Sequence, residues 1–347
     1  MHFDLTDDQK DIKRVARDML ADRSPSAKVR EAAENERYDD ALWRELVQLG
    51  WPGIAVSEEH GGLGLGAVEL AVLLEELGYA CAATKLFSTA TAAAVIDACG
   101  TAEQRARWLP ALVAGELTAG VGTAELAADA EGAAVAVLLD GDEALLIAAP
   151  EVKPFAAIDP TRRYGTVRGD GEPLGAGGAD RVRAAIAAEV VGISQRALDM
   201  TVAYVKERRQ FGVPVGSFQA VAHRCAQMLM HTEGARSTAY FAAWAADADP
   251  DRLPEAAALA TAAAADGGRE VTASAIQAHG GIGFTWEADV HWLYKRAQVD
   301  AALLGTSGKQ PKQFGWIHEM ACPSENELYV AEILNWRVQK LILHPGQ

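Results

Sequence analysis

The sequence predicts a mainly α protein with a small β domain set between two helical parts. Three observations carry this: apolar residues recur at helical spacing through both ends of the chain, one central stretch changes to short apolar runs broken by Gly and Pro, and glycines close several helical stretches. Residues 1–117 read as an α-helical N-terminal domain, 118–178 as a β middle domain and 179–347 as a C-terminal helical bundle with a tail. At 347 residues, 50% of them hydrophobic, the chain is long enough for two or three cooperating units with buried cores.

Each element has its own signal. Thr6-Asp7-Asp8-Gln9 fits a capping box, after which Ile12, Val15, Ala16 and Met19 share one helical face. A second helix around Leu42–Leu49 is stopped by Gly50, and the loop "WPGIAVSEEHGGLGLG" leads to a helix near Val68–Leu77. Alanine-rich helical sequence continues to about Leu117. In the middle, "AVAVLLDGDEALLIAA" places an Asp-Gly turn between apolar runs, a hairpin signal. Beyond Ala179, Ile193, Ala197, Met200 and Tyr204 form one stripe, and Val221, Cys225 and Met228 begin another. The segment "PEAAALATAAAADGGREVTASAIQAHGG" carries a further helix into glycines, and the tail through "GWIHEMACPSENELYVAEILNW" reads as a final helix, with packing on a partner as the other possibility.

Composition excludes several classes. A net charge of −16 and a pI near 5.0 argue against a nucleic-acid binder or a polybasic membrane anchor. No apolar run reaches membrane-spanning length, and the start lacks signal-peptide character, so a reducing cytoplasm is expected. Cys81, Cys99, Cys225 and Cys322 lack the spacing of a zinc site or disulfide framework. His223, His279 and His291 read as ordinary packed or exposed histidines, so no metal is expected.

Two motifs stand out against the acidic background. "KERRQFGVPVGSFQ" gathers Lys206, Arg208 and Arg209 around one tight turn. Basic residues and Gly212 there suit a helix C-terminus, and arginine also grips phosphate with paired hydrogen bonds. "QAHGGIGF", Gln277 to Phe284, is a glycine-rich helix end that lets a ligand approach the backbone.

In order and spacing these pieces resemble the acyl-CoA dehydrogenase family over nearly the whole chain. The resemblance rests on "FDLTDDQKDIKRVARDML", "LWRELVQLGWPGIAVSEEHGGLGLGAVELAVLLEELGYA", "VGISQRALDMTVAYVKERRQFGVPVGSFQAVAHRCAQM" and "AIQAHGGIGFTWEADVHWLYKRAQ". It implies the acyl-CoA dehydrogenase fold, with a helical N-terminal domain, a reduced β domain and a C-terminal four-helix bundle. It also implies an FAD-dependent α,β-desaturation of an acyl-CoA thioester. Carried over, the FAD residues are Arg208, Gln210, Phe211 and Gln219, with Gln277, Gly280 and Gly281 contributed by a neighbouring subunit; Thr306 is counted with them.

The same resemblance exposes two departures. The family's catalytic glutamate falls at Leu304, in "LLGTSGKQ", and the alternative base position falls at Val182. Neither side chain accepts a proton. Asp180, Glu189 and Asp300 lie near in sequence and read as solvent-facing or salt-bridged. The middle-domain stretch that lines flavin and substrate is kept only in fragments, as "VGTAELAADAEGAAVAV". Both departures fit a subunit of an α2β2 assembly of the kind that acts on steroid side-chain CoA esters, in which a homologous partner supplies the base. Electron transfer flavoprotein is the expected acceptor type. Three other readings stay open on the sequence: a homomeric dehydrogenase with a relocated base, a non-catalytic scaffold, and an offshoot with different flavin chemistry.

Overall fold

The structure, a computed structural model, describes residues 4–305, 317–324, 327–332 and 337–342. The chain divides into two units, Met1–Leu303 and Leu304–Gln347. In the first, six helices come before the sheet: α1 (Asp7–Arg23), α2 (Ser26–Asn35), α3 (Asp40–Gln48), α4 (Ala67–Ala80), α5 (Leu86–Cys99) and α6 (Ala102–Val113). The capping box forms as its spacing requires. Thr6 Oγ1 accepts from Gln9 N, and the Gln9 side chain accepts from Thr6 N. α6 repeats the device with Thr101 and Gln104. α2 has no counterpart in the sequence reading; its signal is short, with Pro25 before it and only Val29 and Ala33 buried.

Seven strands follow: β1 (Ala119–Thr123), β2 (Ala127–Ala128), β3 (Val135–Asp140), β4 (Glu143–Ala148), β5 (Glu151–Phe155), β6 (Tyr164–Arg168) and β7 (Gly171–Pro173). They form one sheet in the order β5-β6-β2-β1-β3-β4-β7, antiparallel except for β1 beside β3. The Asp-Gly hairpin joins β3 to β4, with Gly141 at a φ of 61° that glycine adopts without strain.

Three long helices then pack side by side: α7 (Gly178–Glu207), α8 (Gln219–Ala248) and α9 (Leu253–His279), followed by α10 (Val290–Leu304). α7 and α8 are joined by the two-residue strands β8 (Arg209–Gln210) and β9 (Val213–Pro214). The carbons of α4 and α7 meet without intervening side chains. A Cβ on Gly192 would lie 1.8 Å from the Glu75 carbonyl oxygen, and one on Gly78 would lie 2.1 Å from that of Glu189. This close crossing fixes where α7 presents Glu189. A second tie binds α4 to α1 and α8. Buried Glu75 bonds Lys13, Arg236 and the Tyr240 hydroxyl, and buried Glu76 bonds Lys13 and Arg17.

In the second unit, β10 (Ile317–Ser324), β11 (Glu327–Glu332) and β12 (Arg337–Ile342) form an antiparallel sheet. This corrects the expectation of a final helix. "ELYVAE" and "RVQKLI" are rich in β-branched, aromatic and long aliphatic residues and have no helical stripe, so strand pairing suits them better.

Two glycine substitutions separate packing from propensity. Gly192→Ala is expected to destabilise by about 3 kcal/mol, because the obstructing atoms are backbone and cannot yield. Gly234→Ala, on a stretch of α8 where a Cβ meets nothing within 4 Å, is expected to stabilise by roughly 0.5–1 kcal/mol. Urea unfolding of the two variants measures both.

Candidate functional site

Two places in the first unit concentrate chemistry. The first is a groove of about 570 Å³ at the end of the bundle, where the end of α7, the start of α8 and the end of α9 meet. Arg208 caps α7 and lines it with Gln210 and Phe211. Phe211 is 94% exposed and sits at a φ of 53°, a left-handed conformation that costs an aromatic residue. Its ring meets Phe218 edge-on, with centroids 6.3 Å apart. Among the described residues, no carboxylate pairs with Lys206, Arg208 or Arg209, so none of those residues neutralises this positive charge. The opposite wall is Gly280 and Gly281. A Cβ on either would meet nothing within 4 Å among the described residues, and at Gly280 a φ of 66° itself favours glycine.

The glycines and the arginine turn therefore line one groove of one chain, whereas the sequence reading drew Gln277, Gly280 and Gly281 from a neighbour. Gln219 and Gln277 are exposed on the flanking helices and do not line the groove. Thr306 lies outside the described residues. Tyr204 and His279 line it and were not expected. Their only sequence signals were a place on the α7 stripe and a position beside the glycines.

The second place is a buried ionic cluster between α7, α10 and the loop before β6. Glu189 accepts from both guanidiniums that face it: Arg162 at 2.6 and 3.1 Å, and Arg296 at 3.0 Å. Arg296 also bonds Asp159 and Thr161. Asp129 accepts from Ser88 and Tyr38, with Arg162 Nε 3.8 Å away. All of these charged side chains are buried. Burial alone would raise the Asp159 acid group, but Arg296 and the Thr161 hydrogen bond outweigh it and hold it below its ordinary value. Asp129 goes the other way, raised by burial against the pull of Arg162.

Asp300 is the odd member. It is wholly buried one turn beyond Arg296, neither oxygen accepts a hydrogen bond, and Arg162 Nη1 stands 3.8 Å away. Burial, then the Glu189 charge, push its acid group well above the ordinary range. The expectation for these carboxylates holds: Asp180 pairs with Arg183, Glu189 with Arg162 and Arg296, and Asp300 with Arg162, although the Asp300 pair at 3.8 Å is too long for a hydrogen bond.

The acyl-CoA dehydrogenase N-terminal domain matches residues 6–116, and the acyl-CoA dehydrogenase C-terminal domain matches residues 169–315. IpdE2 of Mycolicibacterium smegmatis, an acyl-CoA dehydrogenase, is 36% identical over 300 residues, covering 83% of this chain and 91% of IpdE2. The chain belongs to the acyl-CoA dehydrogenase family. FadE34 of Mycobacterium tuberculosis is 33% identical over 341 residues, covering 88% of this chain and 47% of FadE34. Among solved structures, a Tcur3481-Tcur3483 steroid ACAD variant superposes with a TM-score of 0.78 at 30% identity, covering 86% of this chain and 94% of that one. The ChsE4-ChsE5 complex of Mycobacterium tuberculosis gives 0.77 at 25%, covering 88% and 95%.

As an acyl-CoA dehydrogenase, the chain is an FAD-dependent oxidoreductase acting on acyl-CoA. The groove suits the nucleotide end of that cofactor. Arg208 lines it without a carboxylate partner among the described residues, and Gly280 and Gly281 leave a backbone ledge that none of those residues fills. The two positions that the family resemblance assigns to the base carry no proton acceptor. Leu304 ends α10 one turn after Asp300, Val182 is two turns before Glu189 on α7, and both are buried and apolar.

The cluster makes two separable predictions. Glu189→Gln leaves Arg162 and Arg296 without their shared carboxylate, and should cost about 3–5 kcal/mol. Asp300→Asn should stabilise. A carboxyl raised in the folded state keeps a proton that the unfolded chain releases above about pH 4, so its contribution to stability falls as pH rises beyond that point. The gain from Asp300→Asn should therefore be larger at pH 7 than at pH 4, read by denaturant unfolding at both.

Proposed function

We propose that the chain is one subunit of an acyl-CoA dehydrogenase that desaturates an acyl-CoA thioester between its α and β carbons, and that a homologous partner subunit supplies the catalytic carboxylate. The observation that carries this reading is the pair of buried apolar side chains, Leu304 and Val182, at both positions where the family holds its base. Removing the weakly acidic α-proton needs a general base within reach of that carbon. An isobutyl or isopropyl group offers no lone pair. When bound, FAD accepts the β-hydrogen as hydride. This chain's part is to hold the nucleotide end, with Arg208, Gln210 and Phe211 on one wall and Gly280 and Gly281 on the other; Gln219, Gln277 and Thr306 are assigned to the same end from the family pattern.

Two relatives support the hetero-oligomeric reading, since Tcur3481-Tcur3483 and ChsE4-ChsE5 are two-component assemblies by name. The first is a steroid dehydrogenase, which points to a bulky steroid-derived CoA ester as substrate class. Electron transfer flavoprotein, solved for Acidaminococcus fermentans within a related structure, is the proposed acceptor. Among the described residues no helix is long and apolar enough to cross a membrane. The domain division at residues 117–118 and 178–179 is part of the same proposal.

Asp300 favours a second reading, in which the base has moved one turn back along α10. Its complete burial and the arginines around it weigh against contact with substrate. Two variants of the co-expressed complex decide. Arg208→Ala should lower bound flavin per complex by about tenfold at limiting FAD, through loss of one charge-assisted phosphate contact; unchanged occupancy removes the assignment of the groove. Asp300→Asn should leave turnover within about twofold, below the loss expected for a general base. Loss of about a hundredfold or more would establish the second reading instead.

A further inference from the structure

On the wall facing the glycines, Arg208 presents a guanidinium that can only donate, while the Gln210 amide nitrogen already donates to the Arg209 carbonyl and the Gly280 N–H to that of Gln277. His279 supplies the opposite polarity. Its Nδ1 lies 2.7 Å from the Ala275 carbonyl oxygen, which can only accept, so Nδ1 carries the hydrogen and Nε2 is the ring nitrogen left to accept from a ligand. That ring is stacked on Tyr204, with centroids 4.5 Å apart and planes at 20°. His279 is thus held at both its face and its inner nitrogen, although it is the last residue of a helix. A free phosphate or a fatty carboxylate would have no use for an acceptor here. A ligand with an anionic segment joined to a ring bearing N–H or O–H donors would use both.

We infer that His279, positioned by Tyr204, reads the nucleoside end of the nucleotide by accepting a hydrogen bond from it. This rests on the groove being the FAD site, and it adds a specificity-determining residue to that site. The donor is either the exocyclic amine of adenine or a ribose hydroxyl. Tyr204 acts through His279 by fixing the plane of its ring. The alternative is that the histidine merely caps its helix, in which case its Nε2 has no influence on which nucleotide binds.

ADP binding to the full chain, measured by calorimetry, tests this with inosine 5′-diphosphate and 2′-deoxy-ADP as comparisons. The wild type should prefer ADP over one of the two by about tenfold, the worth of one hydrogen bond whose loss leaves a polar group unpaired. A penalty for inosine diphosphate identifies the amine as donor, and one for deoxy-ADP identifies the hydroxyl. His279→Phe keeps a ring on Tyr204 and removes the acceptor, so it should abolish the preference while leaving the Arg208-dependent affinity. His279→Gln, which retains an acceptor, should restore part of the preference. A preference undiminished in His279→Phe overturns the inference, as does a wild type that does not discriminate or does not bind ADP. The parent reading fails separately: ADP binding that ignores Arg208→Ala removes the diphosphate assignment whatever His279 does.

Discussion

Glu189, shared between Arg162 and Arg296, is the interaction on which the interior of this protein depends. A carboxylate in a dry environment is costly unless it is paired and fully hydrogen-bonded, and the same holds for each arginine. Here one acid satisfies two bases that arrive from separate parts of the chain, Arg162 from the loop before β6 and Arg296 from α10. The contact is possible only because α7 presents Glu189 at a fixed height. Gly78 and Gly192 set that height by letting α4 and α7 touch at the backbone. Packing and charge are therefore one constraint. Glycine at the helix crossing places the acid, and the acid then ties the sheet unit to the bundle.

The cluster also bears on chemistry. Val182 and Leu304, which the family resemblance assigns to the two base positions, flank the helical stretches that carry Glu189 and Asp300. Where a dehydrogenase would keep one reactive carboxylate against its substrate, this chain has buried acids committed to arginines and hydroxyls. The groove at the end of the bundle differs in every respect. It is open, its positive charge pairs with no carboxylate among the described residues, and it holds an exposed aromatic ring in a costly conformation. The proposed role as a contributing subunit requires a nucleotide-binding end and no base of its own.

Much of the fold was legible because its signals are local. Thr6 and Gln9 announce the first helix three residues apart, and Asp140-Gly141 announces the hairpin between neighbouring strands. The arginine turn and the glycine ledge were legible as motifs, but their meeting in one groove of one chain follows from the packing of α7 and α9. The ionic cluster was not legible. Asp129, Asp159, Arg162, Glu189, Arg296 and Asp300 are scattered over nearly half the sequence, and charged residues ordinarily face water. His279 was read as an ordinary histidine because nothing in the sequence reports Tyr204 against its face. α2 and the tail strands were missed for a simpler reason: short elements carry too few periods to register.

The most direct test of the central claim is an anaerobic titration of this chain alone, reconstituted with FAD, against a panel of acyl-CoA thioesters including steroid-derived ones. Flavin absorbance that does not bleach with the chain alone, and bleaches when the partner subunit is added, is the result this account predicts. Bleaching by the chain alone would show a working base within it and would contradict the account.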